Sequence, residues 1–338
     1  MGALVPTATL RAAGLRDFRT LSTDVRAAGL LDRRAGYYSV RLVLTIAAFA
    51  VGWALVFVLG GSWWTLFVAV FLGVVATQLG FLGHDAGHRQ IFESRSANRF
   101  LGLAIGNGLI GLSFGWWVPK HNAHHAHPNQ RDRDPDIGVG LLGPPGTGEQ
   151  AGEHQRLRGW VASHHAELFF PLMLLRSTGL YLSGIHDLLR RRGRTAFTEG
   201  VLLGLHAALY LTAVFWVFPP LMAICFVAVH QAVFSLYLGC SFAPNHKGMP
   251  LIDRDSEMGF ARQQVITARN VSGGRCTAFV LGGLNYQIEH HLFPTMPRPN
   301  LARAQDLVRA FCSENNLAYC EERPIASYRR AIRNVGFA

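Results

Sequence analysis

Histidines occur in three short clusters whose spacing matches the turns of a helix. In residues 120–128, His121, His124 and His125 stand at positions i, i+3 and i+4, which share one face of a helix. Neutral imidazoles on one face are suited to bind a metal ion. The cluster follows an apolar segment rich in glycine and tryptophan, so we predict a metal site there and not a packed core.

Two further clusters strengthen this prediction. One is His-Asp-Ala-Gly-His at residues 84–88, which places histidines at i and i+4. The other is Gln-Ile-Glu-His-His at residues 287–291, which repeats the i, i+3, i+4 spacing with glutamine in the first place. We call the three clusters the first, second and third boxes in chain order. The box histidines are His84, His88, His121, His124, His125, His290 and His291.

The spacing leaves the identity of the metal open. A single zinc site uses three or four ligands, and the zinc motif His-Glu-x-x-His is absent from the sequence. A carboxylate-bridged di-iron bundle needs two Glu-x-x-His repeats, and neither Glu167 nor Glu289 has a histidine three residues later. Imidazole binds iron, copper, zinc and nickel alike. The number of histidines therefore favours two metal ions of undetermined kind.

The composition indicates an integral membrane protein. Half of the 338 residues are apolar, only 16% are charged, and the net charge is +11. Residues 42–83 and 200–246 contain no charged side chain, and each stretch is long enough to cross a bilayer twice at about 20 residues per crossing. The five cysteines lack paired short spacing, so we expect free thiols. We predict an all-α fold with two transmembrane hairpins, whose crossings are about 42–59, 63–83, 201–218 and 221–243.

The apolar segments outside these crossings are predicted to stay on one side of the membrane. Residues 100–118 are apolar, but the chain between His88 and His121 is too short to cross and return, so we expect a shallow or re-entrant segment. Residues 168–189 contain an arginine and should lie along the interface. Residues 106–111 match the dinucleotide pattern G-x-G-x-x-G, but no acidic residue follows at the required distance, which disfavours that interpretation.

Charge sets the predicted orientation. All 32 lysines and arginines lie outside the two short connections within the hairpins, which places both termini and all three boxes on the cytoplasmic side. The boxes would then form part of a cytoplasmic helical cap. Residues 18, 21, 25 and 28 are apolar at helical spacing, which predicts a surface-lying basic helix near the N-terminus. The predicted segments are a basic amphipathic region at 1–41, a membrane domain at 42–299 and a cytoplasmic helical segment at 300–338.

The boxes and the two hydrophobic pairs resemble those of a known family, the membrane-bound histidine-box fatty acid desaturases, which are related to membrane hydroxylases. The resemblance extends from about Tyr37 to Pro299. Residues 287–294, Gln-Ile-Glu-His-His-Leu-Phe-Pro, are similar to the third box of front-end desaturases and of some bacterial acyl-CoA desaturases. The wider family usually has histidine where Gln287 stands. That glutamine would bind metal, direct a water or support the site.

The resemblance implies a specific activity and ligand set. Such an enzyme uses O2 and two non-haem irons to introduce a cis double bond into a long-chain acyl group, carried on coenzyme A or a lipid. The seven box histidines would bind iron, and His246, just past the fourth crossing, would be an eighth ligand. Further ligands or hydrogen-bond partners of ligands are expected among Gln287, Asn245, Asp85, Asp134, Asp136 and Glu289. Candidates for the wall of an acyl channel are Trp116, Trp117, His230 and Tyr286.

Electrons must reach such a site from outside. The haem-binding sequence His-Pro-Gly-Gly of a fused cytochrome b5 domain is absent, so we expect NAD(P)H, a separate reductase and a ferredoxin-like donor. The positive cytoplasmic segments would attract an acidic donor, although the same arginines also suit topology and anionic lipid. We expect a bacterial inner membrane and no nucleic-acid partner. Two alternatives stay open, a hydroxylase or ketolase of the same di-iron class, and a membrane metal transporter.

Overall fold

The structure is a computed structural model that describes residues 18–137, 160–161 and 163–333. These residues are mostly helical, as predicted, with one pair of short parallel strands, β1 (Asn270–Val271) and β2 (Glu321–Glu322). A π-helix covers Ala104–Leu109. The α-helices in chain order are α1 (18–27), α2 (Ala35–Leu59), α3 (Thr65–Gly87), α4 (Arg95–Leu103), α5 (Phe114–Ala126), α6 (His165–Met173), α7 (Arg176–Arg190), α8 (Arg194–Val217), α9 (Pro220–His246), α10 (Phe260–Ile266), α11 (Gly274–Val280), α12 (Gln287–Leu292), α13 (Arg298–Glu314) and α14 (Pro324–Arg333).

Four of the described helices are long and apolar enough to cross a membrane, namely α2, α3, α8 and α9. They confirm the two predicted helical pairs. Gly60 ends α2 with φ +50, a conformation that favours glycine. Pro220 begins α9, as expected because the missing proline N–H costs nothing in the first helical turn. α2 and α8 each begin seven residues before the predicted crossings at 42 and 201, which is more than the one or two residues by which assigned helix ends usually differ.

Two other apolar helix pairs are sharply bent. Residues Arg95–Leu109 and Phe114–Ala126 meet at 117°, and Ala166–Met173 and Arg176–Arg190 meet at 59°. If each bent pair counted as one span, the described residues would hold up to six. The first bend agrees with a shallow or re-entrant segment between the first and second boxes. The G-x-G-x-x-G sequence forms the π-helix and this bend, and the helix α4 precedes it in place of the strand that a dinucleotide site needs.

The chain forms two compact units. The bundle unit consists of Arg33–Pro119 and Phe170–Cys240. The histidine unit consists of Met1–Asp32, Lys120–Phe169 and Ser241–Ala338. All five cysteines are free thiols in the structure, as expected.

In the bundle unit, an apolar cluster joins α2, α3, α8 and α9. It includes the buried residues Val56, Leu72, Val214 and Phe226. Gly73 allows α9 to approach α3 closely, because a Cβ at this position would lie 2.9 Å from the backbone oxygen of His230. Small residues at such contacts are typical of membrane helices, which associate through close packing.

A buried carboxylate secures the start of α5 in the bundle unit. Glu199 is fully buried and accepts hydrogen bonds from Arg191 (3.1 Å) and from the hydroxyl of Ser113 (3.3 Å). The Ser113 oxygen in turn accepts from the backbone N–H of Trp116, as a residue that caps a helix does. A side chain larger than hydrogen at Gly115 would overlap the Glu199 carboxylate. The negative charge of Glu199 is therefore paired with Arg191. It also lies beside the N-terminus of α5, where a negative charge is favourable.

In the histidine unit, α1 packs into a core shared with α10, α12 and α13. Leu21 and Val25 of α1 are buried in this core, and Phe18 packs against it. The N-terminal helix was therefore predicted correctly within 18–27, but its apolar face lies in the protein core and not along a surface. Ala28 is exposed because the helix ends before it and the chain turns at Gly29. Residues 1–17 and 334–338 of the two predicted terminal segments lie outside the described residues.

Candidate metal centre

Each of the three boxes lies at or beside the end of a helix. The first box occupies the last turn of α3, with His88 directly after it, and the second box occupies the last two turns of α5. The third box forms most of the short helix α12. All seven box histidines are at least nine-tenths buried. Buried imidazoles need partners, either hydrogen-bonding groups or metal ions.

Three histidines of the histidine unit direct their Nε2 atoms at one another. The Nε2 atom of His246 lies 3.0 Å from that of His291 and 3.4 Å from that of His124. Two nitrogens bound to one tetrahedral metal at about 2.0–2.1 Å would be about 3.3 Å apart. Both distances are close to this value, and ligand atoms of all three histidines lie within 4.8 Å of one another, so the three rings could hold a single metal ion.

The hydrogen-bond partners of the Nδ1 atoms indicate which nitrogen of each ring carries the proton. Each Nδ1 atom faces an acceptor, so its proton lies there and the lone pair is on Nε2. The Nδ1 atom of His246 lies 3.0 Å from the backbone oxygen of Thr267, which accepts hydrogen bonds only, so Nδ1 carries the proton. The Nδ1 atom of His291 lies 2.8 Å from Oε1 of Gln264. The Nδ1 atom of His124 lies 2.9 Å from the Asp134 carboxylate. Acceptors behind ligating imidazoles orient the rings toward a metal and make them more basic.

Asp134 is held firmly in place behind His124. Its carboxylate also accepts hydrogen bonds from the backbone N–H groups of Asn129 and Asp136, each at 2.8 Å. Burial lowers the pKa of His124, but the hydrogen bond and negative charge of Asp134 outweigh burial and raise it above its ordinary value. The Nδ1 proton of His124 is directed at Asp134, so Nε2 is the atom that a metal would bind in place of a second proton.

The other histidines of this unit lie close by. The Nε2 atoms of His121 and His125 are 3.2 Å apart, and the His125 ring stacks on that of His291 with centroids 4.1 Å apart. Ligand nitrogens of His121 and His290 lie within 4.8 Å of each other. The histidine unit therefore brings together six of the eight predicted ligands.

The first box is in the bundle unit, where its two histidines lie close together. The rings of His84 and His88 have centroids 4.7 Å apart. The Nδ1 atom of His84 lies 3.4 Å from the carboxylate of Asp85, at the long end of the range for a hydrogen bond. Trp117 also packs near His84, with ring centroids 5.6 Å apart. The pair thus has the spacing of two ligands on one helix face.

Gln287 reaches the point where the three Nε2 atoms converge. Its Nε2 atom lies 2.9 Å from Nε2 of His246, and its Oε1 atom accepts a hydrogen bond from Asn245 at 3.1 Å. Gln287 therefore faces the predicted ligand His246 directly. Asn245 contacts Gln287 and the backbone oxygen of Ser241, and so acts on the histidines through another residue.

Glu289 has a different position from the one expected. It is fully buried and accepts hydrogen bonds from Nδ2 of Asn270 and from the hydroxyl of Tyr319, both at 2.7 Å. Burial raises its pKa, and the two donors oppose this in part. Glu289 therefore connects the third box to β1 and to the chain before β2. Asp136 lies near the second box, where it pairs with Lys120.

The four channel candidates lie in different surroundings. Trp117 contacts Gly87 and lies beside the first box. The backbone N–H of Trp116 donates a hydrogen bond to the hydroxyl of Ser113. His230 is buried in the bundle unit, 3.0 Å from the hydroxyl of Tyr210. Tyr286 is partly buried against the core of the histidine unit. Their role in a channel stays a prediction.

Sequence reasoning missed the acceptors Gln264 and Thr267. Neither belongs to a motif, and Thr267 acts through its backbone oxygen, which any residue type provides. Arg269 was also missed, although a fully buried arginine is rare. These residues lie on or just after α10, a short helix that the apolar pattern did not mark.

Comparisons with known proteins agree with these observations. The sequence model of the family described as "Fatty acid desaturase" matches residues 61–323. The chain is 30% identical over 320 residues to an acyl-lipid (9-3)-desaturase of Physcomitrium patens, covering 90% of this chain and 59% of that protein. It is 34% identical over 319 residues to a Delta(5) fatty acid desaturase of Caenorhabditis elegans, covering 90% and 69%. A Delta(6)-fatty-acid desaturase of the same organism is 30% identical over 326 residues, covering 90% and 71%. The chain thus spans less than two thirds of the Physcomitrium patens protein.

Proposed function

The chain belongs to the fatty acid desaturase family, and from this we propose that it introduces a cis double bond into a long-chain acyl group in an O2-dependent reaction at two irons. The observation that carries the proposal is the convergence of three histidines, in which Nε2 of His246 lies 3.4 Å from that of His124 and 3.0 Å from that of His291. A methylene group offers no polarised bond to a general acid or base, so the hard step needs a cofactor. Bound iron would supply the activation of O2.

The proposed ligands are the eight histidines identified in the sequence. Each supplies a neutral nitrogen, which suits iron in a site that lacks thiolates. The geometry of the histidine unit and the spacing of the first box support this set. The proposed ligands are His84, His88, His121, His124, His125, His246, His290 and His291, with Gln287 as a ninth contact.

The protein's own contribution is to hold these rings in one orientation. Asp134, Gln264 and the oxygen of Thr267 each retain a proton on Nδ1 of the ligand they contact. Fixed tautomers leave the Nε2 lone pairs facing the metal and require no reorganisation during turnover. The burial of the site excludes water, which protects a reactive oxidant from side reactions.

We further propose an acyl substrate carried on coenzyme A or a lipid, since the relatives are named as acyl-lipid and fatty acid desaturases. An apolar channel would position the chain, with Trp116, Trp117, His230 and Tyr286 as candidate wall residues. Electrons would come from NAD(P)H through a reductase and an acidic ferredoxin-like donor, which the net charge of +11 supports. The metal site and both termini would face the cytoplasm of a bacterial inner membrane.

The decisive experiment is product analysis in an expressing host. Gas chromatography with mass spectrometry should reveal an acyl chain with one additional double bond. His124→Ala and His290→Ala should each abolish this product and lower bound iron while the protein still inserts in the membrane. His186→Ala, a change at an exposed residue of α7, should retain both product and iron. Full activity and iron in either ligand variant would refute the site.

The same experiment separates the alternatives. A hydroxylated or keto product in place of the olefin would identify the enzyme as a hydroxylase or a ketolase. Iron movement into sealed vesicles without oxygen consumption would instead assign it to metal transport.

A further inference from the structure

Arg269 is one of the largest fully buried side chains among the described residues. An arginine keeps its charge inside a protein, so its burial is costly unless every donor finds a partner. Burial lowers the pKa of Arg269, and the negative charge of Glu322 opposes this. A buried cation that the proposed reaction does not use requires another explanation.

The partners of Arg269 are the backbone oxygens around His246. The guanidinium donates to the oxygens of Pro244 and of Lys247, the second at 3.0 Å. The backbone N–H of Arg269 donates to the oxygen of Asn245 at 2.8 Å. The last carbonyls of a helix lack helical partners, and a positive charge is favourable beside them. Arg269 thus provides hydrogen-bond donors for backbone oxygens on both sides of His246.

The same short segment also contacts the His246 side chain. Thr267, two residues before Arg269, provides the backbone oxygen that accepts from Nδ1 of His246 at 3.0 Å. The backbone and the ring of His246 are therefore held by one three-residue segment. A shift of this segment would move both together.

On its other side, Arg269 contacts the C-terminal helix. It donates to the oxygen of Ser327 in α14 at 3.3 Å, and its Nε atom lies 3.7 Å from Glu322, which also pairs with Arg330. One guanidinium thus connects α14 to the end of α9. Lysine would keep the charge but not the planar fork that reaches several carbonyl oxygens at once.

We propose that Arg269 is a positioning residue for the metal centre, which holds the C-terminal turn of α9 so that Nε2 of His246 meets those of His124 and His291. The proposal rests on the ligand role of His246 given above. It predicts that loss of the guanidinium weakens metal binding more than it weakens the fold.

The test is cobalt(II) binding to the full-length, metal-free protein in detergent, followed by visible absorption. Arg269→Gln should weaken binding about 10- to 100-fold, the range for residues that orient ligands, and should change the cobalt spectrum. Arg269→Lys should fall between this variant and the wild type. Arg275→Gln, a loss of charge at an exposed position of α11, should match the wild type. Thermal unfolding of each metal-free variant is recorded in parallel.

The outcomes are distinguishable. An Arg269→Gln variant that unfolds more easily but binds cobalt with wild-type affinity and spectrum would show a purely structural arginine and overturn the proposal. If that variant is not recovered folded, wild-type affinity and spectrum in Arg269→Lys would overturn it. A wild type that binds no cobalt would refute the metal centre itself and this proposal with it.

Discussion

Gln264 lies 2.8 Å from His291, with its Oε1 atom facing the Nδ1 atom of the ring. The other end of the same amide donates to the backbone oxygen of His125 at 3.1 Å. Because Nε2 of Gln264 must be the donor to that carbonyl, Oε1 must be the acceptor from His291. One glutamine on α10 thus contacts the second box through the backbone and the third box through a side chain.

This relationship leads to the first prediction, on Gln264→Leu. The leucine removes the acceptor behind His291, so metal affinity should fall about 10- to 100-fold. Gln264→Glu keeps an acceptor and should retain more of the affinity. The matched control is Gln263→Leu, since Gln263 is also buried on α10 but its side-chain amide donates to the backbone oxygen of Pro128. Metal titration of the three variants is the measurement, and equal losses for Gln263→Leu and Gln264→Leu would contradict the prediction.

A second prediction concerns Gln287, whose amide nitrogen lies 2.9 Å from Nε2 of His246. Gln287→His places an imidazole where the repeated spacing and the wider family have one, so activity and iron content should exceed those of Gln287→Ala. The alanine also removes one of the two acceptors of the buried Asn245 amide, and an unsatisfied buried donor costs about 1–3 kcal/mol. Iron content and product yield should be compared per mole of folded protein. Equal results for the two variants would indicate a purely structural glutamine.

The sequence predicted those parts of the protein that depend on local pattern. The four long helices follow from charge-free stretches of sufficient length, and the helical position of each box follows from the i+3 and i+4 spacing of its residues. Gln264, Thr267 and Arg269 could not be predicted in the same way, because their roles depend on how distant segments meet. Glu289 shows the same limit, since its place in the third box suggested a ligand partner, whereas its contacts are with Asn270 and Tyr319.

The N-terminal helix shows a limit of another kind. Its apolar spacing was correctly recognised as one helix face, but the pattern cannot tell a protein core from a membrane surface. Leu21 and Val25 are buried against α10, α12 and α13. Either environment removes the same apolar area from water, so the choice is set by tertiary contacts and not by the helix itself.

A third prediction tests the packing at the start of α5. Gly115→Ala would force a methyl group into the Glu199 carboxylate, which is held by Arg191 and Ser113. Overpacking of this kind costs about 1–3 kcal/mol, and a displaced buried charge adds to it. We expect a lower unfolding temperature and reduced recovery from the membrane. Gly108→Ala is the control, because a Cβ at that position meets nothing within 4 Å and its φ is not positive. Equal stability of the two variants would show that Glu199 does not lie against Gly115.

The last prediction concerns the proposed electron donor. Arg303, Arg309, Arg329 and Arg333 are exposed on α13 and α14 of the histidine unit, so this part of the protein presents positive charge to an acidic protein. The Debye length falls from about 8 Å at 0.15 M salt to about 3 Å at 1 M, which weakens attraction between exposed charges. Turnover with a ferredoxin-like donor should therefore slow with salt through a rising KM for the donor, while kcat at saturating donor changes little. Arg329→Glu should raise the same KM at low salt and show a weaker salt dependence. A donor KM that is indifferent to both salt and charge reversal would mean that these arginines serve membrane topology or anionic lipid, and a different surface would have to receive the electrons.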